Sequence, residues 1–112
     1  MDSILTSIKK LLGIEPDDTN FDDEITMHIN SVFMILTQLG VGPSTGFSIS
    51  DDSAIWEDFV ADMSMFEAVK TYVFLRVKLL FDSTSLPAAV IESYNRSIAE
   101  LEWRLNVNAE ST

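Results

Sequence analysis

The chain has 112 residues, enough for one domain with a single modest core. Hydrophobic residues make up 46% and charged residues 22%, which argues against disorder over most of the length, and the absence of cysteine excludes a disulfide scaffold, a thiolate metal site and a cysteine nucleophile. The net charge of −11, with only seven Lys and Arg, disfavours wrapping DNA or adhering to an anionic membrane, because each phosphate contact needs a cation.

In chain order, the first predicted element is a short helix in which Ile4, Leu5, Ile8, Leu11 and Leu12 recur at helical spacing, with Gly13 placed to cap its C-terminus. Its lysines follow the apolar residues, the reverse of a secretion signal. The linker "GIEPDDTN" leads to a second helix over about residues 21–39, capped by Asn20 or Asp22 and ended by Gly40. Ile25, Ile29, Val32, Phe33, Leu36 and Leu39 share its buried stripe, and His28 sits at the stripe's edge as a boundary residue. Met27 and Met34 lie almost opposite, either as tolerated surface methionines or as a soft patch for a neighbour.

Residues 40–53, "GVGPSTGFSISDDS", break the helical pattern and hold three of the four glycines. Phe47 and Ile49 alternate with serines, so this long loop is read as either a mobile segment or a short strand awaiting a partner. A brief helix around Ile55, Trp56 and Phe59 follows, and "SMFE" at residues 64–67 forms a capping-box pattern predicting a helix to about Phe81. That helix contains "VKTYVFLRVKLLFDS", the most hydrophobic stretch of the chain. A membrane span needs about 20 residues with few charges, whereas this run carries Lys70, Arg76 and Lys78. It reads instead as the central post of a bundle, apolar over most of its circumference. Lys70 and Arg76 project from the apolar arc, their stems either snorkelling past it or reaching acids of an adjacent subunit.

The last helix is expected over about residues 86–106, with Pro87 in its first turn. Val90, Ile91, Tyr94, Ile98, Leu101 and Leu105 form its buried stripe, while Glu92–Arg96 and Glu100–Arg104 suit a solvated face. Trp103 projects on the same side as Arg96, to meet either a loop of its own domain or another chain. The fold class is therefore all-α, a small bundle of four to five helices with a long loop at 40–53. Residues 1–105 make one helical domain and 106–112 a polar tail.

Chemistry-bearing constellations are sparse: one histidine and no Gly-rich phosphate loop, so neither an enzyme nor a cofactor is expected. "DDTNFDDE" lacks the glycine and ligand spacing of a calcium loop, and no metal site is assigned. The acids gather in two clusters, around Asp17, Asp18, Asp22 and Asp23, and around Asp51 and Asp52, where capping and solvation account for most of them.

The layout "LGI…D…FD.EI..HIN….L.QLGV" of residues 12–41 resembles the head–tail connector (adaptor, or head-completion) proteins of tailed bacteriophages. So do "AVKTYVFLRVKLLFDST" at residues 68–84 and "AELEWRL" at 99–105; Ser83 departs from the proline expected after the Phe-Asp pair. The resemblance implies a structural virion protein at the head–tail interface, assembled from subunits in the host cytoplasm. It implies a homo-oligomeric ring, commonly of roughly twelve copies, below the portal protein. Genomic DNA would pass through its channel without specific binding, and a stopper or tail-completion protein would dock beneath. Carried onto this chain, the portal-facing candidates are Asn106, Val107, Asn108, Ala109 and Glu110. The subunit-interface candidates are Met27, Met34, Phe47, Ile49, Lys70, Arg76 and Trp103. The six aspartates named above are candidates for the channel wall. The alternative is a small acidic binding protein, a DNA mimic or inhibitor acting as monomer or dimer, although acids concentrated at loops and helix starts fit a phosphate-like row poorly.

Overall fold

The computed structural model describes residues 3–60, 63–82 and 84–110. Ser83, and Ser111 and Thr112 of the expected polar tail, lie outside the described residues. Five α-helices follow in order: α1 (Ile4–Leu11), α2 (Asp22–Gln38), α3 (Trp56–Phe59), α4 (Phe66–Phe81) and α5 (Ala88–Glu110), with a 3₁₀ turn at Met63–Met65. The expected all-helical bundle is what the chain forms.

The helix ends follow from local chemistry. Ser3 caps α1 by accepting the Thr6 N–H at 3.2 Å. α1 and α2 both close in the same way, with a glycine at positive φ just past the helix. At α2, Gly40 N–H donates to Thr37 O at 3.0 Å and Val41 N–H to Leu36 O at 2.9 Å, which satisfies two otherwise open carbonyls. The start of α2 differs from expectation. Phe21 occupies the cap position without a side-chain hydrogen bond, and neither Asn20 nor Asp22 caps. Three first-turn acids, Asp22, Asp23 and Glu24, favour that end through the helix dipole instead. The "SMFE" box is likewise displaced. Ser64 falls in the 3₁₀ turn and Met65 takes the cap position of α4, without a side-chain cap bond.

α4 packs against α2 and against α5, while α1 covers α2 and part of α4. Val69, Tyr72, Val73, Leu75 and Val77 of α4 are buried between these neighbours. The α2 stripe from Ile25 to Leu36 is fully buried, as its spacing requires. α5 contributes Ile98 and Leu105 as its buried positions and runs to Glu110, past the boundary expected at residue 106. Directions are fixed by contacts at the ends. Phe21 at the start of α2 stacks edge-on against Phe81 at the end of α4, with ring centroids 5.5 Å apart, so α2 and α4 are antiparallel. Tyr72 and Arg76 of α4 meet Glu102 of α5, while Met65 and Ala68 line a groove with Trp103 and Val107, so α4 and α5 are antiparallel as well. α2 and α5 therefore run the same way. Asn106 Nδ2 joins their C-terminal ends by donating to Leu39 O at 3.2 Å.

The loop at 40–53 contains no strand, which corrects one expected option, and it is tied down rather than loose. Asn30 supplies what a partner strand would: its amide nitrogen donates to Ile49 O at 2.9 Å and its amide oxygen accepts the Ile49 N–H at 2.8 Å. Ile49 is buried, and Phe47 stacks on Phe33 and Phe59 with centroids 5.1 and 5.2 Å away. Gly42 makes the inward bend possible. It has φ +83°, and a Cβ there would lie 2.4 Å from the Phe59 ring.

Trp56 anchors α3 under α1. Its indole N–H donates to Ser7 Oγ at 2.8 Å in the buried core, and Ser7 Oγ donates in turn to Ile4 O at 3.0 Å. Ser7→Ala strands that buried donor and is expected to cost about 1–3 kcal/mol in urea unfolding. In a Trp56→Phe background, which has no donor to strand, the same substitution should cost much less, a non-additivity that a double-mutant cycle measures directly.

Candidate functional site

Among the described residues no group of three or more His, Asp or Glu is arranged to hold a metal ion. No helix among them is long and apolar enough to cross a membrane. His28, half-buried at the stripe's edge, lies 3.6 Å from Glu24 within α2. The features that ask for a partner are surfaces.

The first is the outer face of α2. Met27 and Met34 are 58% and 61% exposed, on the side turned away from the buried stripe. Seven residues apart, they lie two helical turns along one line. The second is the outer face of α5. Trp103 is 68% exposed, the most of any large hydrophobic residue described, and Val107 follows one turn later at 44%. With Met65 and Ala68 they line a shallow groove between the ends of α4 and α5. Of the two options for Trp103, a covering loop of its own domain is not found among the described residues, which leave it largely exposed. A large apolar side chain held in water is expensive, and the two faces lie on the two helices that flank α4.

The third surface is acidic. Asp22, Asp23, Asp51 and Asp52 come from segments far apart in sequence and line one small cleft with Thr26 and Ser50. Asp17 and Asp18 stay in the linker outside it. Asp51 accepts from the Ser53 hydroxyl and, at 2.9 Å, from its backbone N–H, and these bonds hold its carboxyl below the usual range. Asp22 is committed elsewhere: Lys9, only 2% exposed, places Nζ 2.8 Å from its Oδ1 and donates to Pro16 O at 3.0 Å. The Lys9–Asp22 contact joins two charges without a well-aligned hydrogen bond.

Other candidates fare differently. Ile49 is buried in the chain's own core, and Phe47, partly buried, packs against that core. Lys70 rests 5.6 Å from the Phe66 ring centroid, a cation–π contact within α4. Arg76 also has partners inside the chain: Nη2 pairs with Glu102 Oε2 at 2.5 Å and Nε donates to Tyr72 Oη at 2.7 Å, while Tyr72 donates to the same carboxylate oxygen at 2.7 Å. The C-terminal candidates lie on the last turns of α5. Asn106 and Ala109 pack toward the end of α2, Val107 and Asn108 are exposed, and Glu110 closes the helix.

A family model described as "Phage connector protein" matches residues 4–112. The chain belongs to the phage connector protein family. No curated protein and no solved structure matches it. Membership gives the chain a structural role at the phage head–tail connection, with portal and tail components as its class of partner. In this connector, the exposed faces are therefore the features to account for. Sequence reasoning placed Met27, Met34 and Trp103 on outward helix faces by their angular position, and the fold leaves all three exposed. It missed Lys9, whose place next to buried Ile8 was the available signal.

The Arg76–Tyr72–Glu102 cluster gives this connector an acid-sensitive tie between α4 and α5. Burial disfavours the Glu102 carboxylate, but hydrogen bonds from Tyr72 and Arg76 outweigh it and hold the pKa below the ordinary value. Tyr72 is pushed the other way, by burial first and then by the neighbouring carboxylate. A depressed carboxyl contributes stability that is present above its unfolded pKa of about 4.3 and lost as pH falls through the folded value. Glu102→Gln is expected to cost about 1 kcal/mol at neutral pH, given that both partners are partly exposed. Its urea midpoint should also fall less steeply below about pH 4.3 than that of the unsubstituted protein.

Proposed function

We propose that this connector is a ring-forming head–tail adaptor with no catalytic activity of its own. Its copies seat on the portal protein, extend the channel through which genomic DNA passes, and offer their far side to a stopper or tail-completion protein. The observation that carries this reading is the pair of unlike apolar faces, Met27 and Met34 on α2 and Trp103 with Val107 on α5, in a chain of the phage connector family. A subunit of a closed ring needs two different complementary surfaces, because each copy meets one neighbour with one face and the next with the other. Free subunits assemble from the host cytoplasm onto completed heads. The end of α5, from Asn106 to Glu110, is the portal-facing segment in this reading.

The acidic cleft has a role in the same scheme. With a net charge of −11, a channel wall carrying Asp23, Asp51 and Asp52 repels phosphates and lets DNA slide. Asp17 and Asp18, in the neighbouring linker, extend that negative surface, while Asp22 is neutralised by Lys9.

Cryo-electron microscopy of purified particles tests the assembly: a ring of this chain between portal and tail is expected, and a chain absent from particles would overturn the reading. The channel role has its own test. Asp51→Lys combined with Asp52→Lys should slow DNA release from assembled particles, most clearly at low ionic strength where screening is weakest. Ejection kinetics unchanged in such particles would remove these acids from the wall.

A further inference from the structure

We infer that α5 of one copy seats lengthwise and parallel on α2 of the next, with Trp103 between Met27 and Met34 and Arg96 against Glu24. The inference rests on the ring reading above and names the contact that would close it.

Three observations converge on this pairing. The first is direction. Because α2 and α5 run the same way within one copy, rotation about an axis along the helices keeps α5 of one copy parallel to α2 of its neighbour. A two-fold axis perpendicular to the helices would make them antiparallel instead.

The second is spacing. Seven residues separate Arg96 from Trp103 on α5, and seven separate Glu24 from Ser31 on α2. Both intervals are two helical turns, about 10.5 Å. With Trp103 placed over Ser31, Met27 lies four residues before it and Met34 three residues after, so the indole drops between two thioethers, one a turn before it and one a turn after. The same register brings Arg96 over Glu24, and Val107 beside Met34. At about 100° per residue, Arg96, Trp103 and Val107 fall within one narrow sector of α5, and Glu24, Met27, Ser31 and Met34 within one sector of α2. All seven are exposed in the isolated chain.

The third is charge. The first turn of α2 carries Asp22, Asp23 and Glu24 with no basic residue. Among the cations, Lys9, Arg76, Lys78 and Arg104 are in ion pairs with carboxylates of their own chain. Arg96 is exposed and has no such pair among the described residues, and it stands on the Trp103 side at the distance that reaches Glu24. Aromatic and Arg anchors are what subunit contacts are built around, and Met adapts to a bulky ring.

The test uses the absence of native cysteine. Met34→Cys together with Val107→Cys, in particles assembled with the variant chain and treated with a short bis-maleimide, should give a ladder of covalent multimers. Either cysteine alone should give none, because the contact is between unlike faces. A reciprocal charge swap supplies the second arm: Arg96→Glu and Glu24→Lys should each reduce incorporation into particles, and the two together should restore it. A ring visible by cryo-electron microscopy with no ladder and no rescue by the swap overturns this contact and leaves the adaptor reading standing. Particles with no ring overturn both.

Discussion

The rest of the structure depends on how α4 is covered. Apolar residues take most of its circumference, and Val69, Tyr72, Val73, Leu75 and Val77 are all buried. A helix that is apolar nearly all round has no face to give to water, so it must be enclosed on more than one side. In a chain of this length only α2 and α5 are long enough to do so, and α1 is left to seal the remaining gap. The consequence is an ordering in which the two flanking helices bury one stripe each and turn the other outward. Met27, Met34 and Trp103 are exposed because the helices that carry them have spent their apolar stripes on α4. The small number of layers makes the outer surfaces a direct consequence of the core.

Polar ties then fix elements that hydrophobic packing alone would leave loose. Each links two segments through a side chain. Lys9 joins α1 to the linker and to the start of α2, Asn30 holds the loop at Ile49, Ser7 receives Trp56, and Glu102 receives both Tyr72 and Arg76. The Lys9 contact is the most demanding. A cation nearly sealed from water is tolerable only when charge and hydrogen-bond partners meet it, here the Asp22 carboxylate and the Pro16 carbonyl. Breaking such a pair exposes the desolvation penalty of the survivor, so its value is greater as a constraint on geometry than as a net source of stability.

What was legible in the sequence was whatever helical periodicity encodes. The α2 stripe, the outward methionines, the glycine closures at Gly13 and Gly40, and the outward Trp103 all follow from angle along a helix. What was not legible depends on chain segments meeting across long separations. Nothing near residue 49 announces that a side-chain amide nineteen residues earlier will take the place of a strand partner. The "GFSIS" alternation was real, since Phe47 and Ile49 do point inward, but alternation specifies which side is buried and not what the backbone bonds to. Arg76 shows the same limit. Its position on the apolar arc signalled an unusual partner, and tertiary packing supplied one from α5 before any neighbouring copy was needed. The convergence of Asp22 and Asp23 with Asp51 and Asp52 was invisible for a further reason, because capping preferences place acids at helix starts whether or not those starts meet.

The charge balance bears on how such a subunit can associate. Copies with a net charge of −11 repel one another at long range, and that repulsion fades beyond about 8 Å at physiological ionic strength. Association therefore has to be won at contact, by apolar burial and by locally opposite charge. A contact made of two methionines, one tryptophan and one ion pair is small beside a standard protein interface. In a closed ring each copy makes that contact twice, and once most positions are filled the last closes intramolecularly, with an effective concentration set by the neighbours already in place. A portal bearing several docking positions would do the same for the first copies. In the proposed ring, weak unlike faces on a strongly acidic subunit would favour assembly on a template over assembly in solution.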